Sequence, residues 1–200
     1  YRDLCRLSEQ LEQTDAMLQH ARDGLSMCRQ LFEAETFPHG HVETARMFAN
    51  YANACTLQGR FVEARVNLIR SIEMSEDLAE HGEVTLSPAT IAELHLLVAA
   101  TYAQEGNDPQ SLRYTTRALR LCENLPDTYS PVDRCRLSAQ CYLGHGQALI
   151  KTGDYRRATD ALERALDNSR SVFSTEPSTA SRLALIDAHI ELGVLYRLKS

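Results

Sequence analysis

Tryptophan is absent from this chain of 200 residues, and its aromatic content is only 6%. No apolar run approaches the roughly 18 residues that a membrane-spanning helix requires. The formal net charge of −6 argues against nucleic acid as a ligand, because neutralising phosphates requires clustered Lys and Arg. We therefore expect neither nucleic acid nor a membrane among the partners of this chain.

The sequence also lacks the motifs that carry common chemistry. It contains no glycine-rich phosphate loop, no His-Glu-x-x-His and no Gly-x-Ser-x-Gly. His39 and His41 stand two residues apart in a predicted loop without a cysteine partner, which is a poor zinc pattern. Cys141 and His145 stand four residues apart with no orienting acid. We predict no metal, no cofactor, no small-molecule substrate and no enzymatic activity.

Six cysteines are present, but none forms a Cys-x-x-Cys motif. Cys5 and Cys55 fall at packing positions of predicted helices, which favours cysteine as a small buried hydrophobe. Unpaired cysteines predict a reducing compartment, the cytoplasm or the nucleus. The chain begins at Tyr1 without an initiator methionine or a signal-peptide pattern, so we expect a fragment of a larger intracellular protein.

Glycines give the first sign of an internal repeat. Gly59, Gly106 and Gly153 are each separated by 47 residues. The residues seven positions earlier follow the same step and are mostly small: Ala52, Ala99, Gly146 and Gly193. Small residues after each glycine also recur, as Ala64, Ser111 and Ala158 and then as Ser71, Ala118 and Ala165. Self-similarity at a fixed period of this size predicts a stacked repeat array.

The repeating unit resembles the tetratricopeptide repeat. Its pattern of bulky, small, apolar, Gly-x-aromatic and later alanine positions is carried by Tyr142, Gly146, Leu149, Gly153, Tyr155, Ala158, Leu162 and Ala165. The segments 38–45 and 59–64 resemble the long kinesin-light-chain kind, whereas the ordinary repeat has about 34 residues. The resemblance implies an all-α, right-handed superhelical solenoid of antiparallel helix pairs.

The repeat register divides the chain into one array. We predict a degenerate first repeat at 1–41, repeats at 42–88, 89–135 and 132–178, and the first helix of a fifth repeat at 179–200, acting as a cap. The first repeat is predicted to hold two helices, from Tyr1 to about Leu11 and from Asp15 to about Glu33. Further helices are predicted near 42–58, 61–80, 89–105, 108–124, 132–152 and 155–173.

The faces of the first helices that lie opposite the packing positions are the candidate binding site. The resemblance implies that first helices line a concave groove, in which amide side chains can pair with a partner's extended backbone. The candidate contacts are Arg46, Asn50, Asn53, Leu57, Glu93, Leu97, Gln104, Gln140, Gly144, Gln147, Lys151 and Glu191. His95, His145 and His189 fall instead at predicted packing positions between helices.

Two functions fit these features. The first is a protein–protein interaction scaffold or adaptor that holds a partner peptide or helix in the groove. The alternative is a regulatory or sensor module that packs against a catalytic or nucleotide-binding region outside residues 1–200. The sequence flanking this segment would distinguish the two, because a neighbouring ATPase, kinase or DNA-binding motif favours regulation.

Overall fold

The computed structural model describes residues 2–31 and 40–199, with side chains described from residue 13 onward. These residues form eight α-helices and no strand, so the predicted all-α fold of consecutive helix pairs is confirmed. The helices are α1 (Arg2–Leu31), α2 (Val42–Leu57), α3 (Phe61–Glu80), α4 (Pro88–Gln104), α5 (Asp108–Glu123), α6 (Pro131–Lys151), α7 (Tyr155–Thr175) and α8 (Thr179–Lys199). The predicted His39 loop residue lies outside the described residues.

The turn inside each helix pair has the same backbone structure. Gly59, Gly106 and Gly153 have φ angles of 72°, 72° and 82°, in the left-handed region that a Cβ disfavours. The N–H of the following residue reaches back to the carbonyl five positions earlier, which closes the helix in a Schellman motif. These bonds are Arg60 to Cys55, Asn107 to Tyr102 and Asp154 to Leu149.

The connections between pairs are less regular than the turns. The first helices begin at Val42, Pro88, Pro131 and Thr179, at unequal intervals. The step of 47 residues therefore applies to the turns and to the helix positions around them. A uniform period for the whole chain is not confirmed.

The chain folds into two compact units, Tyr1–Ser87 and Pro88–Ser200. In the first unit, α2 packs against α1 and α3 through fully buried Ala52, Cys55 and Leu68. The hydroxyl of Ser71 on α3 donates a hydrogen bond of 2.6 Å to the carbonyl of Ala45 on α2. This bond satisfies a buried hydroxyl inside the helix pair.

The structure of α1 contradicts one prediction. The sequence predicts a break between Leu11 and Asp15, but α1 runs without interruption from Arg2 to Leu31. Residues 12–14 are Glu, Gln and Thr, and they include neither the glycine that ends the other first helices nor a proline. With no residue suited to positive φ, the helix continues. The repeat boundaries themselves stay a prediction.

In the second unit, α6 contacts α4, α5, α7 and α8. Gly146 of α6 lies directly against Leu162 of α7, and a Cβ at Gly146 would sit 2.6 Å from the Leu162 Cδ2 atom. That distance is shorter than any tolerated carbon contact, so a side chain at position 146 would require the Leu162 side chain to move. Leu162 is fully buried there, with Leu149 and Leu195.

Candidate functional site

The second unit contains an open cleft with a cavity volume of about 570 Å³. Its walls come from the first helices α4, α6 and α8 and from the start of α5. We call it the α6 groove; its lining includes Leu96, Ala99, Ala100, Ala103, Asp108, Thr115, Gln140, Leu143, Gly144, Gln147, Lys151, Glu191, Val194 and Leu198. Five predicted contacts, Gln140, Gly144, Gln147, Lys151 and Glu191, come together in this groove.

The lining of the α6 groove combines an apolar surface with a few polar groups. Leu96, Leu143 and Val194 are each half-buried and line the groove from three different helices. Gln140, near the middle of α6, and Lys151, its last residue, are both exposed. Apolar walls with a few placed polar groups are what ligand-binding clefts in proteins generally have.

Gly144 lies within the lining on α6. A Cβ built at Gly144 would meet the Leu96 Cδ2 atom at 3.4 Å and the Thr115 Cγ2 atom at 3.8 Å. Both distances are ordinary van der Waals contacts, so an alanine would fit at this position while a long side chain would occupy the groove. The glycine keeps this part of the groove open.

Gln147 and Glu191 are joined across the groove. The Gln147 Nε2 atom donates a hydrogen bond of 2.9 Å to the Glu191 Oε1 atom, which connects α6 to α8. This contact orients the amide of Gln147 and leaves its carbonyl oxygen available as an acceptor. The sequence identified both residues but gave no sign that they pair.

Glu93, Leu97 and Gln104 of α4 lie outside the lining of the α6 groove. The lining residues of α4 are instead Leu96, Ala99, Ala100 and Ala103, so the face that borders the groove is rotated by about one residue from the predicted one. Glu93 is exposed, although the surrounding protein raises the pKa of its carboxyl by desolvation.

In the first unit, Arg46, Asn50, Asn53 and Leu57 form one exposed stripe along α2. The guanidinium of Arg46 pairs with Glu43 at 3.1 Å, and Leu57 is 63% exposed. The structure therefore places all four side chains at the surface, as the helical spacing predicts. Their role in binding stays a prediction.

Three of the predicted packing positions are histidines, and two of the three are buried. His145 is buried beside the groove, with its Nδ1 atom 3.1 Å from the Thr115 hydroxyl, and desolvation lowers its pKa. His95 is buried against the ring of Tyr114, where burial and then Arg117 lower its pKa to about 4. Its Nδ1 atom finds no partner in the described part of the chain.

His189 does not pack, so that prediction is wrong. It is exposed on α8, because no helix follows α8 in the described residues to cover this face. The exposed surface of α8 also carries the apolar side chains of Leu183, Ile186, Ile190 and Tyr196, and the first three share one side of the helix. A terminal cap normally presents a polar outer surface, so this face does not favour the predicted cap role.

The described cysteines are unpaired thiols, and Cys55, Cys122 and Cys141 are buried as predicted. Cys122 of α5 contacts Cys141 and Ser138 of α6. A hydrogen bond from Cys141 and a further one with the Ser138 hydroxyl at 3.2 Å lower the pKa of Cys122 to about 7. The pKa of Cys141 is raised by that same bond and by burial. The contact helps to hold α5 against α6.

Two further findings concern the described residues. They contain no group of three or more His, Cys, Asp or Glu side chains placed to hold a metal ion. None of their helices has both the length and the apolar character needed to cross a membrane.

Comparison with known proteins rests on structure. No protein-family model and no curated protein matches this chain. The structure of BtubC (BKLC) from P. vanneervenii is similar with a TM-score of 0.65 at 17% identity, over 93% of this chain and 66% of that one. The fold is that of TPR-like repeats. This chain thus spans slightly less than two thirds of the BtubC structure.

Two further structures agree with this conclusion. The TPR-like repeats of a putative kinesin light chain from Podosopora anserina match with a TM-score of 0.59 at 14% identity, over 96% of this chain and 84% of that one. A Q17M variant of that protein gives 0.53 at 16% identity, over 94% and 87%. The predicted resemblance to long TPR-like repeats is confirmed, and at this identity it concerns the fold alone.

Proposed function

We propose that this chain is a protein-interaction module, and that the α6 groove holds an extended segment of a partner protein. The observation that carries this proposal is the open cleft of about 570 Å³, whose largely apolar lining also contains a few polar side chains. Its volume lies within the range of about 300–1,000 Å³ that is typical of ligand-binding clefts. TPR-like neighbours support an interaction role in general.

The side chains of the groove indicate what the segment should contain. A large apolar side chain of the partner would fit among Leu96, Leu143 and Val194, since buried apolar anchors supply most of the affinity at interfaces. Lys151, Asp108 and Glu191 give the lining a net charge of only −1, which favours a segment of low net charge. Gly144 lets a backbone approach α6 closely, where the amides of Gln140 and Gln147 can bind it.

A selection of displayed random peptides against the 200-residue chain tests this proposal. Ala100 is exposed and lines the groove, so Ala100→Arg should fill the cleft without disturbing the core. We expect the selected peptides to share a large apolar residue and to bind Ala100→Arg at least roughly tenfold more weakly, as the loss of a central anchor would require.

The matched control is Ala79→Arg, which adds the same side chain at an exposed position of α3. It should leave peptide binding unchanged, and both variants should melt at the temperature of the parent chain. If Ala100→Arg binds the selected peptides as well as Ala79→Arg does, the α6 groove is not the site.

The exposed apolar face of α8 favours a second function, a regulatory or sensor module that packs against another part of a larger protein. Leu183, Ile186 and Ile190 share one side of α8 by helical spacing and are between 44% and 55% exposed. Exposed apolar side chains grouped in this way mark an interaction site. The double variant Ile186→Glu, Ile190→Glu should no longer associate with the part of the larger protein against which α8 packs. Its α6 groove should still bind peptide. Retained association of the double variant would contradict this second function.

A further inference from the structure

The first unit contains a second cavity, of about 420 Å³, which is unrelated to the α6 groove. Helices α1 and α3 form its walls and α2 forms its floor. Three arginines line it, Arg22 and Arg29 from α1 and Arg70 from α3. We call it the arginine cleft. It is a local positive region in a chain whose formal net charge is −6.

The guanidinium groups of Arg29 and Arg70 both stack on one aromatic ring. Their Cζ atoms lie 5.2 Å and 6.0 Å from the ring centroid of Phe48, which is almost completely buried on α2. Stacking on a ring orients a guanidinium but leaves its N–H donors and its charge unsatisfied. Within residues 13–31 and 40–199, neither arginine forms an ion pair with a carboxylate.

Glu63, the one carboxylate among the described lining residues, is already engaged. Glu63 accepts a hydrogen bond of 2.5 Å from the Tyr51 hydroxyl and forms an ion pair with Arg60. Arg22 donates to the same hydroxyl at 3.5 Å. This end of the cleft is therefore a hydrogen-bonded network in which Glu63 offsets part of the positive charge. Arg29 and Arg70 have no such carboxylate partner among the described residues.

The second unit shows the same arrangement with the charge balanced. Tyr142 stands at the position of Phe48, Arg164 at that of Arg70 and Glu123 at that of Arg29, each displaced by two steps of 47 residues. The Arg164 Nη1 atom donates to the Tyr142 hydroxyl at 3.0 Å, and that hydroxyl donates to the Glu123 Oε1 atom at 3.0 Å.

The first unit thus carries an arginine where the second unit carries a carboxylate. Two like charges that face one ring repel each other, and an anion between them would remove that cost. In both units the ring lies between the two neighbouring helices, Phe48 between α1 and α3 and Tyr142 between α5 and α7. What differs is the sign of the charge that an incoming ligand would meet.

We propose that the arginine cleft binds a phosphorylated side chain of a partner protein. A phosphate monoester carries close to two negative charges and three acceptor oxygens at neutral pH, which matches two guanidinium groups presented from opposite walls. A carboxylate needs only one such fork. The cavity is several times larger than a phosphate group, so it has room for the residues on either side. This proposal does not rest on the α6 groove.

Three short peptides with identical uncharged flanks test the proposal, with phosphoserine, aspartate or serine at the centre. Binding to the 200-residue chain is followed through the Nε–H signals of ¹⁵N-labelled arginine. The phosphoserine peptide should shift the signals of Arg29 and Arg70 and bind at least roughly tenfold more tightly than the other two, because charge-assisted bonds are the stronger ones.

Two variants and a control locate the site. Arg29→Glu reproduces the charge pattern around Tyr142 and should abolish binding, and Arg29→Gln should weaken it at least roughly tenfold. Arg113→Glu makes the same charge change at an exposed position of α5 and should leave binding intact. The melting temperature of each variant shows whether it is folded.

Four results would overturn the proposal. The first is no shift with the phosphoserine peptide, and the second is equal binding of the aspartate peptide, which would indicate a carboxylate site. The third is inorganic phosphate binding as tightly as the peptide, which would indicate an ion site. The fourth is full binding by folded Arg29→Gln.

Discussion

The helix pairs α2–α3 and α6–α7 differ in the residue at one equivalent position of their first helices. Ala52 and Gly146 are equivalent by two steps of the repeat, as are Leu68 and Leu162, and Gly146 lies against Leu162. In the first pair a methyl group and a leucine are both fully buried. In the second pair even a methyl group would collide with the leucine. The same repeat position therefore holds a methyl group in one pair, whereas in the other a methyl group would require the Leu162 side chain to move.

The largest predicted effect on stability comes from overpacking the contact between Gly146 and Leu162. Gly146→Leu should lower the free energy of unfolding by about 3 kcal/mol or more, since added methylenes in a packed core cost roughly 1–3 kcal/mol and glycine to leucine adds several. Gly146→Ala should also destabilise. Urea denaturation followed by circular dichroism measures both changes.

Gly193 provides the matched control on α8, at the equivalent position one step later. A Cβ at Gly193 would meet nothing within 4 Å, so Gly193→Ala should raise stability by up to about 1 kcal/mol through helix propensity alone. Equal effects of Gly146→Ala and Gly193→Ala would mean that the close contact with Leu162 does not exist.

The next effect is a dependence of stability on pH that comes from a histidine of the second unit. His95 is buried and its folded-state pKa is about 4, below the unfolded value of roughly 6.5. Folding therefore favours the neutral ring, and its contribution is present above pH 6.5 and is lost as the pH falls from there to about 4. The loss should reach up to about 3 kcal/mol, at 1.36 kcal/mol per pKa unit.

His95→Gln removes this titration. The variant should lose less stability than the parent chain between pH 6.5 and 4 when thermal melts are compared at each pH. Part of the parent's acid sensitivity should persist, because burial also lowers the pKa of His145. Identical pH profiles for the two proteins would show that His95 is not held neutral.

A smaller effect should be common to both units. Gly59→Ala and Gly153→Ala place a Cβ at φ angles of 72° and 82°, where an L-residue costs roughly 1–2 kcal/mol. Neither position has a neighbour within 4 Å, so the two losses should be equal. Asparagine at either position should recover part of the loss. A loss at only one glycine would mean that the turns are not equivalent.

The smallest effect concerns binding. Asn53 and Gln147 are equivalent positions, and the sequence predicts that both contact a partner. Gln147 lines the α6 groove, so Gln147→Ala should weaken the selected peptides by about 0.5–1.5 kcal/mol, the net value of a hydrogen bond. Asn53→Ala, on the exposed stripe of α2, should weaken them less. Equilibrium titration with labelled peptide compares the two, and the reverse order would place the site on α2.

The turns and the core were predictable because they depend on short-range chemistry. Positive φ requires glycine, so Gly59, Gly106 and Gly153 identify the ends of three first helices from sequence alone. The fully buried Ala52, Ala64, Ala158 and Ala165 follow from helical spacing around those glycines. A continuous α1 was not predictable from the repeat, since the register assumes a break even where no residue requires one.

The site was predictable only in part, because it depends on how helices rotate against one another. Five of the predicted contacts line the α6 groove, but Leu96 of α4 faces it where Leu97 was expected. A fixed step of 47 residues cannot report a rotation of one residue. The arginine cleft depends on Arg29 and Arg70 meeting at one ring across three helices, and no local pattern shows that.

The contrast between invariant turns and unequal connections has a practical consequence for engineering. Residues 58–60, 105–107 and 152–154 join the helices of a pair through the same backbone bonds. The segments 81–87, 124–130 and 176–178 between pairs have seven, seven and three residues, and Val84 in the first of them is 76% exposed. The segment 81–87 begins with the same bonding as the glycine turns, since Gly82 has a φ of 71° and the Glu83 N–H bonds the Leu78 carbonyl. Exposed loop positions beyond such a bond accept inserted residues readily. A tag, a protease site or a fluorophore therefore belongs beside Val84 and not at a glycine turn.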